Sequence, residues 1–317
     1  MLALTLWKTL PAALGLAALA AAPAFAAEPE TCKTVRFADV GWTDITATTA
    51  TASTILTALG YTPETQVLSV PVTYTSLANK DIDVFLGNWM PTMEADIKPY
   101  RDAGTVETLR TNLEGAKYTL AVPEHTYEAG LKTFADIAKF KDKLDNKIYG
   151  IEAGNDGNRL ILGMIEEGKF GLSGFELVES SEAGMLSAVQ RAANSTQDVV
   201  FLGWEPHPMN ANIKMKYLEG GDEVFGPNFG GATVATNVRQ GYATECPNVG
   251  KFLQNLSFSL SMENEIMGAI LNDGAEAGAA ATAWLKANPE ALGPWLDGVT
   301  TFDGSDAKAA VNTALGL

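Results

Sequence analysis

Short apolar runs closed by glycine alternate with longer stretches whose apolar positions recur at helical spacing. The pattern predicts a strand at 34–40, a helix at 43–59 ended by Gly60, and a second strand at 65–74 with Pro71 at an edge or bend. A short helix starting at 76–80 and a buried strand at 83–87 follow. This βαβαβ order predicts parallel strands joined by helical crossovers. The same grammar then restarts, with a strand at 117–122, a helix at 134–140, a strand at 147–151, a helix at 159–167, a strand at 175–179, a helix at 182–194 and a strand at 199–202. A strand at 215–218, a glycine-rich passage at 226–231 and a strand at 233–237 lead into an alanine-rich, mainly helical end from residue 249 onward. The expected architecture is α/β with two lobes, the first made of 27–116 and 229–317 and the second of 117–228.

The first 27 residues carry one charge, Lys8, ahead of an apolar run from Pro11 to Ala22 and the small-x-small triplet Ala24-Phe25-Ala26. That is the form of a cleaved export signal, with cleavage expected after Ala26. Gly15 and Pro23 make the same run a poor membrane anchor. The formal charge is −16 over the whole chain, and losing Lys8 makes it one unit more negative. Nucleic acid is excluded as an expected partner because phosphates need a basic footprint. An acidic surface attracts cations at long range, and it also serves solubility alone. The two cysteines, Cys32 and Cys246, are read in an exported protein as one disulfide, the alternative being two unpaired buried thiols. Neither they nor His125 and His207 have metal-ligand spacing, so no metal or other cofactor is expected.

Three tryptophans share one local context. Phe37-Ala38-Asp39-Val40-Gly41-Trp42, Val84-Phe85-Leu86-Gly87-Asn88-Trp89 and Val200-Phe201-Leu202-Gly203-Trp204 each place an indole after an apolar strand and a glycine. The outer ends of strands in open α/β sheets are where ligands bind. An indole face is the best aromatic partner for an organic cation. The bland reading makes each tryptophan a packing anchor; their shared context favours a cage. Asp44 lies beside the first, as a helix cap or an acceptor for a ligand hydroxyl. Asn155 in a polar loop satisfies a turn or holds the same hydroxyl, and Tyr118 is an ordinary strand aromatic or a fourth wall.

The motifs Gly41-Trp42-Thr43-Asp44, Asp83 through Thr92, Gly154-Asn155-Asp156-Gly157-Asn158-Arg159 and Phe201 through Asn210 resemble those of the choline-binding periplasmic proteins of ABC importers, within the glycine-betaine/choline class. The resemblance implies a two-lobed periplasmic-binding-protein fold of type II-like form, hinged on two crossing strands and closing on its ligand. It implies an aromatic box of Trp42, Trp89, Tyr118 and Trp204 around a trimethylammonium group, with Asp44 and Asn155 holding the choline hydroxyl. It also implies a disulfide, consistent with Cys32 and Cys246. The expected partners are choline, acetylcholine as a weaker ligand, and a membrane permease; the expected state is a periplasmic monomer.

Glycine betaine and carnitine bring a carboxylate, which calls for basic or helix N–H donors near the cage. Asp44 beside the box would repel it, although Arg159 stays available to the sequence as a donor. An exported hydrolase of choline esters is the rival of a different class. The chain has no Gly-x-Ser-x-Gly elbow, no His-Glu-x-x-His zinc motif and no phosphate-binding or dinucleotide loop, so no enzyme is expected.

Overall fold

The computed structural model describes residues 28–317. The expected export signal therefore lies outside the described residues. β1 (Thr34–Asp39) leads through Gly41 into α1 (Thr43–Ala58), and β2 (Thr62–Val67) pairs parallel to β1 from Thr34↔Thr62 to Asp39↔Val67. α2 (Val70–Ala78) then carries the chain to β3 (Val84–Met90), parallel to β1 on its other edge. The strand expected at 65–74 is thus shorter, ending at Val67, and its second half is helical. Pro71 lies in the first turn of α2, where its missing N–H leaves no intrahelical bond unmade. The short helix expected from 76 is the end of this longer one.

A second parallel triplet repeats the plan. β5 (Lys147–Tyr149) pairs parallel with β6 (Glu176–Val178) and with β7 (Phe201–Glu205). Between the triplets run β4 (Val106–Pro123) and β9 (Gly231–Arg239), antiparallel to each other. The order is β2-β1-β3-β9-β4-β7-β5-β6, with β8 (Met215–Tyr217) added beside β4. The sheet is therefore mixed rather than parallel throughout. β9 is antiparallel to β3 and β7 is antiparallel to β4, so the two long strands tie one lobe to the other.

Two further helices position the second lobe's side of the cleft. α3 (Asp156–Glu166) starts three residues earlier than the expected 159, because Asn155 caps it by accepting the Asn158 N–H. α4 (Glu182–Asn194) matches the expected span, with Ser181 as its cap. In the first lobe, the helices Leu260–Leu271 and Ala277–Ala287 pack on α1, whose alanine and threonine side chains permit close approach. Cys32 and Cys246 form a disulfide across a sequence separation of 214, joining the entry to β1 with the start of the C-terminal helical part. Among the described residues, no helix is long and apolar enough to cross a membrane.

Candidate ligand-binding site

The turn from β1 to α1 is organised by Asp39. One carboxylate oxygen accepts the Gly41 N–H at 2.7 Å and the other the Thr46 hydroxyl at 2.7 Å. Gly41 takes φ +81°, a left-handed conformation that favours glycine. Trp42 and Asp44 are thereby delivered to the N-terminal end of α1, both buried. Asp44 does not cap the helix; Trp42 occupies the cap position without a side-chain bond, and the Thr43 N–H is taken by Glu182 of the other lobe at 3.0 Å.

Trp89 and Trp204 are inside β3 and β7, not beyond their ends as the pattern suggested. Tyr118, on β4, stands directly opposite Trp204 in the antiparallel register. The ring centroids of Trp89 and Tyr118 are 5.9 Å apart, and those of Tyr118 and Trp204 are 6.3 Å apart at 79°. With Trp42 facing them, these aromatics line one small cavity together with Asp44, Ile151 and Asp156. The structure thus brings together five of the six expected residues around one cavity. The first lobe supplies Trp42, Asp44 and Trp89, the second supplies Ile151, Asp156 and Trp204, and Tyr118 comes from a connecting strand.

Asn155 is buried but stands behind this surface. Its Oδ1 accepts both the Tyr118 hydroxyl at 3.0 Å and the Asn158 N–H at 3.0 Å, while its Nδ2 donates to Asp156 at 3.0 Å. Burial holds the Tyr118 phenol well above its ordinary range, so it stays protonated and donates. The tyrosine reaches this position only because residue 157 is glycine: a Cβ there would lie 2.1 Å from the phenol oxygen. Ile151 and Asp156 are the lining residues that the sequence did not single out, and Asp156, the polar one, directly follows a more conspicuous asparagine.

Charge in the cavity is one-sided. Asp44 accepts the Trp89 indole N–H at 3.0 Å through one oxygen, and its other oxygen is buried without a hydrogen-bond partner. Asp156 likewise has one buried oxygen outside hydrogen-bond geometry, with the Thr92 hydroxyl beside it. Burial pushes Asp44 up to about 8, reinforced by Glu182, and Asp156 up to about 7. Glu152, whose carboxylate accepts the Trp42 indole N–H, is also raised by burial. Arg159 is engaged elsewhere, with Asp96 at 2.6 Å and the Thr92 carbonyl at 3.0 Å. Among the described residues, no lysine or arginine lines the cavity.

Two α/β lobes joined by a pair of connecting strands, with an aromatic-lined cavity between them, have the architecture of the solute-binding proteins of ABC importers. A family model described as the substrate binding domain of the ABC-type glycine betaine transport system, OpuAC, matches residues 33–287, and the chain belongs to this family. A structure titled ABC-transporter choline binding protein in complex with choline is 71% identical, with a TM-score of 0.90 over 91% of this chain and 100% of that one. The same coverage and identity hold for a structure titled as the unliganded semi-closed conformation, with a TM-score of 0.84. This structure therefore superimposes more closely on the complex than on the unliganded form. The glycine betaine/carnitine transport binding protein GbuC of Listeria monocytogenes is 29% identical over 167 residues, covering 53% of this chain and 54% of that protein.

Proposed function

We propose that this protein captures choline in the periplasm and delivers it to the permease of an ABC importer. The observation that carries this reading is the pair of buried, unpartnered carboxylate oxygens on Asp44 and Asp156 inside an aromatic-walled cavity without a basic side chain. A quaternary ammonium has no N–H donor, so aromatic faces and nearby negative charge are what hold it, each face contributing about 0.5–2 kcal/mol. Trp42, Trp89, Tyr118 and Trp204 are the proposed walls. A ligand hydroxyl supplies the one donor that Asp44 lacks. In this role Asn155 fixes Tyr118 and Asp156 in place, and Asp156 takes the polar contact first assigned to Asn155. The 71% identity to a protein whose structure is titled as holding choline supports the reading.

Glycine betaine is the second ligand to test, because the family description and GbuC name it. Its carboxylate would meet Asp44 and Asp156, while Arg159 is held outside by Asp96. Acetylcholine keeps the cation without the hydroxyl and is expected to bind more weakly than choline. We further propose a non-catalytic monomer, processed after Ala26, with lobe limits near residues 116 and 228.

Calorimetric titration of the signal-free protein with choline and, separately, with glycine betaine tests the assignment. Choline binding in the micromolar range or tighter, about −8 kcal/mol or better, with weak or absent betaine binding is expected. Tighter betaine binding overturns the role given to the two carboxylates. No binding of either removes the cation cage.

A further inference from the structure

Several polar contacts join the two lobes. Trp42 donates to Glu152, Arg159 pairs with Asp96, Asn212 donates to Asn272, Asn264 donates to Glu205, and Glu182 reaches from α4 to the start of α1. Glu182 differs from the other crossings because three donors converge on one buried carboxylate. One oxygen accepts the Thr43 N–H at 3.0 Å; the other accepts the Thr43 hydroxyl at 2.5 Å and lies 3.2 Å from His207 Nε2. His207 Nδ1 accepts the Met209 N–H at 2.9 Å, so Nε2 carries the proton and donates to Glu182. The His207 ring meets the Trp204 ring edge-on, 4.9 Å between centroids. Thr43 stands between Trp42 and Asp44. A single carboxylate is thus bonded on one side to the residue between two cavity-lining side chains, and on the other to the ring that backs a third.

We propose that Glu182 is a positioning residue that latches the lobes shut around the ligand, with Thr43 as its catch and His207 as the strut that transmits closure to Trp204. This rests on the ligand-capture reading above, since Glu182 does not line the cavity. Opening the lobes strips Glu182 of both Thr43 bonds and frees the first N–H of α1, a helix terminus that favours an anion. The latch therefore slows ligand release without recognising ligand chemistry. The arrangement was hidden from the sequence because Thr43 and Glu182 are separated by 139 positions.

The test uses Glu182→Gln and Thr43→Val, with Thr43→Ser as the rescue that keeps the hydroxyl. Stopped-flow tryptophan fluorescence gives dissociation rates for choline and tetramethylammonium. Both variants are expected to release the two ligands faster, by about tenfold or more for a hydrogen bond to a charged group; Thr43→Val, which leaves the charge beside Asp44 in place, is expected to do so by the same factor for both, and Thr43→Ser is expected to return close to the parent rate. A second readout needs no ligand. Spin labels at Val67→Cys, on exposed β2, and Leu162→Cys, on exposed α3, report the interlobe distance. Glu182→Gln should lower the closed population in free protein. If it does not fold, Thr43→Val decides alone. Parent release rates and parent distances in the folded variants overturn the latch. Absence of choline binding in the parent protein fails the ligand assignment instead, and the label distances still judge the latch.

Discussion

Asp44 and Trp89 are joined by a 3.0 Å hydrogen bond from the indole N–H to Oδ2, which fixes a cavity wall and a carboxylate with one contact. The bond uses one oxygen and leaves Oδ1 unpartnered. Asp44→Asn keeps the size and an acceptor for Trp89 but removes the charge. Choline is expected to lose more affinity than tetramethylammonium, which has no hydroxyl to offer. Titration of both ligands against parent and variant checks this. Equal losses would confine Asp44 to a purely electrostatic role.

Trp89 and Trp204 come from different lobes and flank Tyr118 at 5.9 and 6.3 Å. Each presents a desolvated face, so either Trp89→Ala or Trp204→Ala is expected to weaken choline by about tenfold or more. Parent affinity in one of them would remove that residue from the box. Trp295, in the C-terminal helical part, is buried against Phe258 and donates to the Ser257 carbonyl at 3.1 Å. Trp295→Ala should therefore lower the melting temperature and leave choline affinity in the folded protein unchanged.

The three strand-glycine-tryptophan runs were legible because their chemistry is local: an apolar run, a small residue, then an indole. The exact seats of Trp89 and Trp204, inside β3 and β7, were less so, because β-strand limits depend on the partner strand. Residues 65–74 misled for a related reason. A proline in an apolar run reads as an edge strand or as the first turn of a helix, and the crossover to β3 decides for the helix. The antiparallel β4–β9 pair joins residues more than a hundred positions apart and leaves no short-range trace. Asp156 was overshadowed by Asn155, since one step at a helix start turns a lining side chain into a cap. His207, between two prolines, carried no signal in the sequence beyond its lack of metal-ligand spacing; its contact with Glu182, on another element, exists only in the fold.

The Cys32–Cys246 bond joins two points of the first lobe and closes a loop of more than two hundred residues that takes in the second lobe. Cross-links of this kind stabilise by about 2–5 kcal/mol, mainly through the unfolded chain. Cys32→Ser with Cys246→Ser should lower stability by that amount in urea unfolding. The midpoint should fall while choline affinity in the folded protein is retained, because neither cysteine borders the cavity. A loss of affinity in the folded double variant would show that the bond also sets the geometry of the α1 turn.

The cavity carboxylates predict an unusual pH response. Burial raises Asp44 to about 8 and Asp156 to about 7 in the ligand-free protein. Besides burial, Asp44 feels Glu182 and Asp39, which oppose its ionisation; the buried Glu263 of the helix Leu260–Leu271 is itself held well above its ordinary range, first by burial and then by Asp44. Both aspartates titrate above their unfolded value of about 3.9, so their contribution to stability is complete below that pH and is lost as pH rises through about 7 to 8. The melting temperature of the free protein should therefore fall between pH 6 and pH 9. A bound cation favours the ionised forms, so choline binding should release protons and tighten over the same interval. The rise in melting temperature given by saturating choline should grow with pH. Titrations at pH 7 in phosphate and in Tris, whose ionisation enthalpies differ, measure the proton release directly. Asp44→Asn should flatten the part of the profile above pH 7. A choline affinity that stays constant from pH 6 to pH 9, with no proton released, would show that neither aspartate changes charge when the ligand enters.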